Sequence, residues 1–225
     1  MNGLIIRERT SIWFMLYAVY LYFCSLSLRK ASNALMPWIN RSHTAIWLWI
    51  QKFANLANRF KVNRVSCILI DETQVQIGKD KAWVWLAFEP YKRAFLGFHI
   101  SWSRNSLTAW LFLRMLKRKY GFKPIYTNGG LWYPLACKWA RLEHHRYGDE
   151  WKNLMERAIQ ALKDRTECFD DYFPCWHESF KEARHVWNWL SLFQIWHNIA
   201  HQGLPSLEAS SPEASRFIAF MQKAL

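Results

Sequence analysis

An α/β fold built on a mixed sheet, with helical segments before and after it, is what this sequence predicts. Between residues 64 and 167, short β-branched and aromatic runs alternate with helical patterns. The first three runs follow one another directly, while each later one is separated from the next by a helix. Hydrophobic residues make up 52% of the 225, and Trp alone numbers 15. That is too apolar for a disordered basic chain and enough to bury a core.

Residues 1 to about 60 read as helices: an aromatic stretch, then Leu26 to Pro37, then Arg41 to Phe60. Asn40 or Ser42 is a natural N-cap for the helix containing Ala45 to Ile50, because its side-chain oxygen can accept a free first-turn N–H. Two helices joined by a short turn, the second carrying Arg41, Ser42, His43, Thr44 and Gln51, predict a helix-turn-helix that binds DNA.

Val65 to Ile70 is a buried strand by its β-branched content, and Asp71 ends the run. Trp83 to Glu89 and Arg93 to Ser101 are two further strands around a turn at Pro90-Tyr91-Lys92. Leu107 to Tyr120 is a helix whose last turn is filled by Lys and Arg, and Gly121 ends it. A short strand, Pro124 to Thr127, leads into Asn128-Gly-Gly130. A helix from Tyr133 to Arg141 follows, then a brief segment from Leu142 to His145, then a helix beginning near Asn153 that carries Glu156 near its start. Three strands, then helix, strand, helix, strand, helix is the order of a ribonuclease-H-like core with a five-stranded mixed sheet. Ala183 to Ile199 is rich in Trp, Leu and Phe at helical spacing, and Leu204 to Pro212 reads as a loop. The expected division is a helical region with the helix-turn-helix at 1–60, the α/β core at 61–170, and a helical segment packing on it at 171–225.

Lys and Arg total 30 against 17 Asp and Glu, a net charge of +13 with no single polybasic tail. Such a balance favours a polyanionic partner. The five cysteines are odd in number, widely spaced and without CxxC, which excludes a secreted disulfide framework and predicts a reducing cytoplasm. Cys168, Cys175, His197 and His201 are zinc-ligand types, but the gap between the cysteines exceeds the usual one, so core thiols and histidines are expected. The 18 uncharged residues from Ser11 to Leu28 approach the length of a membrane span. Their Tyr and Ser content favours a buried or partner-facing helix instead.

The chemistry lies at Asp71, position 128 and Glu156. Cutting and joining phosphodiesters needs an activated nucleophile and a neutralised leaving oxygen; two divalent ions about 4 Å apart supply both, held by carboxylates. Adjacent strand ends and a neighbouring helix give these three positions the addresses for such a pocket.

Asp71-Glu-Thr73 after an apolar strand resembles the first-aspartate motif of insertion-sequence DDE transposases. Thr127-Asn-Gly-Gly-Leu-Trp-Tyr-Pro134 is similar to their second-aspartate motif, and Met155-Glu-Arg157 with Lys163 resembles the third. Lys163-Asp-Arg-Thr166, Phe169-Asp-Asp-Tyr-Phe-Pro174 and Asn40-Arg-Ser-His-Thr44 look like the prokaryotic subgroup with one short reading frame. The resemblance covers roughly residues 25 to 201. It implies an integrase-like core that binds terminal inverted repeats and target DNA as a homo-oligomer and transfers strands with two Mg²⁺ or Mn²⁺ ions. By the same resemblance Asp71, Asn128 and Glu156 occupy the catalytic and metal positions, and Arg157 and Lys163 contact DNA.

Asn128 stands where the family has Asp. An amide oxygen brings no negative charge, so losing that carboxylate slows catalysis by on the order of a thousandfold or more. The expectation is an impaired transposase; the alternative is a non-catalytic DNA-binding derivative acting as repressor or inhibitory subunit. A membrane-anchored protein using residues 11–28 is a third reading.

Overall fold

The computed structural model describes residues 10–55, 60–166, 172–173, 183–202, 207–209 and 219. Three helices come first: α1 (Ile12–Phe23), α2 (Leu28–Leu35) and α3 (His43–Phe53). Then follow β1 (Phe60–Val62), β2 (Ile68–Ile77), β3 (Asp80–Glu89), β4 (Ala94–Ser101), α4 (Ser106–Tyr120), β5 (Ile125–Thr127), α5 (Tyr133–Ala140), β6 (His144–Arg146) and α6 (Asp149–Thr166). The chain closes with β7 (Tyr172–Phe173), α7 (Ala183–Gln202) and β8 (Leu207–Ala209).

The main sheet has the order β4-β3-β2-β5-β6. The β2, β3 and β4 strands form an antiparallel meander, and β5 and β6 add in parallel on the other side of β2. That order and those directions are the ribonuclease-H-like topology expected from the sequence, with helices on both faces. β7 pairs with the far end of β2, and β1 pairs separately with β8.

Several boundaries differ from expectation: α3 ends at Phe53, with Phe60 in β1 rather than in a helix, and β3 starts at Asp80. β2 runs through Asp71 to Ile77, so the acid sits inside the strand. Beyond it, buried Thr73, Val75 and Ile77 alternate with exposed Gln74 and Gln76, a half-buried strand pattern that two adjacent acids interrupt. α6 starts at Asp149 because Asp149 and Glu150 suit the positive end of the helix dipole, which places Glu156 two turns in. Residues 207–209, expected in a loop, form β8 because β1 gives them a partner.

Strand alternation divides the interior in two. Ile68 and Ile70 face a core with Trp85, Leu96 and the buried sides of α4 and α5. Leu69 and Val75 face a larger core shared with α6, α7 and all three N-terminal helices. The expected boundary near residue 60 therefore runs through shared packing. Met15, Leu16, Val19, Tyr22 and Phe23 of α1 are buried in it, and among the described residues no helix is long and apolar enough to cross a membrane.

β4 is an edge strand, and α7 covers it. Asn198, 1% exposed, accepts the Phe95 N–H at 2.8 Å and donates to the Phe95 carbonyl at 2.8 Å. One side-chain amide thus imitates a neighbouring strand and blunts an edge that could template pairing with another chain. Asn198→Ala leaves the Phe95 N–H buried and unmet, while Gln194 still serves the carbonyl. A loss of about 1–3 kcal/mol in urea unfolding is expected; an unchanged midpoint would remove this role.

Candidate functional site

The site gathers where β2 passes the end of β5. Asp71 lies one residue beyond the Ile70–Thr127 pair, and Asn128 follows directly on β5. Asp71 Oδ1 accepts the Glu72 N–H at 2.9 Å and Asn128 Nδ2 at 3.0 Å. Its Oδ2 accepts the Tyr147 hydroxyl at 3.0 Å.

The loop holding Asn128 is tied from within. Thr127 is fully buried; its hydroxyl meets His144 Nε2 at 2.9 Å and accepts the Gly129 N–H at 3.1 Å. Asn128 Oδ1 accepts the Gly130 N–H at 3.0 Å. Only the amide oxygen can accept that proton, so the NH₂ end is turned toward Asp71. Gly129 has φ +88°, a left-handed conformation that favours glycine; a Cβ there would meet only the movable Arg146 guanidinium end, so conformation rather than space calls for glycine.

Glu156 arrives from α6. Met155 beside it is fully buried, Trp151 meets Tyr126 of β5 edge-on at 4.7 Å, and Ala158 and Leu162 are buried further along, so the helix is fixed before and after the acid. Burial pushes the Asp71 carboxyl above the ordinary carboxylate range; the Glu72 N–H and Tyr147 hydroxyl oppose this, and the Glu156 charge adds to it. Two acids and the amide therefore share one electrostatic environment.

A raised folded-state pKa means that charged Asp71 is a burden above it. The contribution favours folding fully below the unfolded carboxyl value and is lost as pH rises through the folded one. Asp71→Asn is therefore expected to raise the melting temperature at pH 7.5, with the advantage gone below about pH 4. Equal melting at both pH values would contradict burial as the governing cause.

The donor set does not fit two divalent ions. Asp71 and Glu156 supply carboxylates, but the Asn128 oxygen is engaged and its N–H groups face the space a cation would take. Among the described residues, no cluster of three or more His, Cys, Asp or Glu could hold a metal. Cys168 and Cys175 lie outside the described residues, as does the side chain of His201; His197 is buried with its ring 4.6 Å from that of Phe95.

The other expected contacts lie on α6 and around α3. Arg157 is exposed and Lys163 half-buried on α6. Ser42 is the N-cap of α3, accepting the Ala45 N–H, and Arg41 Nε donates to Thr10 Oγ1 at 2.6 Å. His43 and Thr44 are exposed. Gln51, expected on the DNA side, faces α7 instead: Nε2 donates to the His185 carbonyl and Oε1 accepts from Asn188.

No protein-family model matches the chain. Over 193 residues it is 30% identical to the uncharacterized protein MJ0017 of Methanocaldococcus jannaschii, a match covering 85% of this chain and 88% of that protein. The chain belongs to that family. Among solved structures, the catalytic core domain of BIV integrase aligns with 56% of the chain and 82% of its own, at 18% identity and a TM-score of 0.40. A simian T-cell lymphotropic virus intasome in complex with PP2A regulatory subunit B56 gamma aligns with 87% of the chain and 78% of its own, at 13% identity and a TM-score of 0.45. At those scores the fold assignment rests on the strand order and pairing above. Membership of the MJ0017 family brings no activity with it, so the chemistry belongs to the residues.

Sequence reasoning missed two parts of the site in this MJ0017 relative. Tyr147 reaches Asp71 because its own N–H continues the β5–β6 pairing onto the Thr127 carbonyl at 3.1 Å. Glu72, on the opposite face of β2 from Asp71, accepts the Tyr133 hydroxyl and lies 3.6 Å from Arg104. Arg104 sits between the rings of Trp83 and Trp132, at 4.0 and 4.4 Å. This cluster anchors the start of α5, and with Thr127 it pins both ends of the Asn128 loop. The adjacent acid at 72 was a visible signal; nothing in the sequence pointed to Arg104.

Proposed function

We propose that this MJ0017-family chain is a DNA-binding protein of the insertion-sequence DDE transposase type whose strand-transfer chemistry is impaired. The observation that carries the reading is the meeting of Asp71 and Asn128 at 3.0 Å from neighbouring strands, with Glu156 of α6 acting on the same carboxyl. A ribonuclease-H-like sheet with two such positions at its central strands and a third on the adjoining α6 suits phosphodiester cleavage and joining. The motifs around each position and the charge of +13 support DNA as the substrate. In this reading Asp71 and Glu156 are the remaining metal-binding acids, Arg157 and Lys163 line the DNA path, and Arg41, Ser42, His43 and Thr44 at the start of α3 meet the element ends.

The amide orientation favours the non-catalytic form of the reading: a derivative that holds DNA and blocks an intact homologue in mixed oligomers. The test is nicking of a supercoiled plasmid carrying the reading frame and its flanks, in Mg²⁺ or Mn²⁺, beside a binding assay on the same DNA. Binding with little or no nicking is expected. Robust nicking by the natural chain would sink the impairment, and absence of binding would sink the whole reading.

A further inference from the structure

On the face of the sheet opposite Asp71, α4 carries a row of cations on a shallow groove of about 370 Å³, lined by Leu111, Arg114, Met115, Arg118 and Lys119. Arg114 and Arg118 are exposed and four residues apart, hence on one side of the helix and about 6 Å apart along its axis. Lys61 of β1 joins them: its ammonium lies 6.0 Å from the Tyr120 ring, and that of Lys119 lies 5.5 Å from it. Among the described residues, none of these four cations is paired with a carboxylate.

The groove is separate from the Asp71 site. β4 runs in the same direction as β2, so α4 starts near the Asp71 end of the sheet and returns toward the other. The Tyr120 hydroxyl, bonded to the Leu96 carbonyl at 2.9 Å, fixes the end of α4 beside the start of β4. Phe112, Leu113 and Leu116 are buried beneath and hold the helix that carries the row against the sheet.

We propose that this α4 groove is a second contact surface for double-stranded DNA, binding backbone phosphates away from the Asp71 site; the proposal rests on the DNA-binding reading above. Unpaired cations spread along more than one helical turn suit an extended polyanion better than a single phosphate, which would want them converging on one point. Burial and the nearby Lys61 charge pull the Lys119 ammonium down to about 8, a strain that an approaching anion relieves. A second copy of the chain would bring the same cations face to face, which disfavours self-association through this surface.

Arg114→Gln with Arg118→Gln keeps good helix formers at two exposed sites and leaves the fold intact; adding Lys119→Gln makes a triple variant. The full chain binds a short labelled duplex of arbitrary sequence while salt is varied between about 50 and 200 mM. The slope of log affinity against log salt is expected to shrink by about 2 in the double variant and by about 3 in the triple, since each lost phosphate contact removes about 0.9. Natural and double-variant chains with equal affinity and slope overturn this inference and leave the DNA-binding reading standing. A natural chain that does not bind duplex overturns both. Unchanged duplex binding with loss of polyglutamate binding in the variants assigns the groove to an acidic protein segment and overturns the DNA proposal.

Discussion

Asn128→Asp is expected to make the site cation-dependent and to raise metal-dependent strand cleavage by on the order of a thousandfold or more. The geometry gives the reason. The natural amide donates to Asp71 Oδ1 at 3.0 Å while its oxygen holds the Gly130 N–H. With a carboxylate at 128, one oxygen keeps the Gly130 contact and the other faces Asp71 at close range. Two anions there cannot both stay charged unless a proton or a cation lies between them. Without metal, the substituted chain should melt lower than the natural one at neutral pH. Mn²⁺ should restore it, by about 2.7 kcal/mol once the ion reaches a hundredfold excess over its dissociation constant. Melting curves with EDTA and with Mn²⁺ read this before any cleavage assay. A substituted chain indifferent to Mn²⁺ in melting and inert toward plasmid DNA would show that the frame around Asp71 is not a metal site.

Much of this was legible because the relevant patterns are local. β-branched runs, the helical spacing of α4 and the Asn-Gly-Gly turn after β5 each follow from neighbours within a few residues. The core of the trio was legible as well: Asp71 and Asn128 touch, and Glu156 acts on the first. What stayed hidden depends on distant partners. β8 is three residues long and exists through pairing with Phe60–Val62, far away in sequence. Asn198 reads as one polar residue in an apolar helix until β4 lies against it. Gln51 reads as a surface amide until α7 arrives. The continuation of β2 past Asp71 was masked for a different reason. Asp71 and Glu72 point to opposite faces, each into its own part-buried polar cluster, and two consecutive acids look like the end of a strand.

Phe193→Ala is expected to destabilise the whole described fold by about 3–5 kcal/mol, lowering the melting temperature by roughly 6–20 °C. Phe193 is 0% exposed, and its ring lies among those of Phe23, Phe95, Phe98, Trp189 and Trp196, with centroids 5.4–6.5 Å away. Those neighbours belong to α1, β4 and α7, so one side chain joins the N-terminal helices to the sheet. Truncating it removes apolar contact on all sides and leaves a cavity that rigid aromatic walls cannot close. The form of the transition carries more than its midpoint. An N-terminal helix-turn-helix folding as its own unit would melt separately once its contact with α7 is weakened, giving two steps. A single sharp step, shifted as a whole, means that α1 to α3 and the sheet fold together. The helices proposed to grip element ends would then hold them in a fixed relation to Asp71, rather than on a tether.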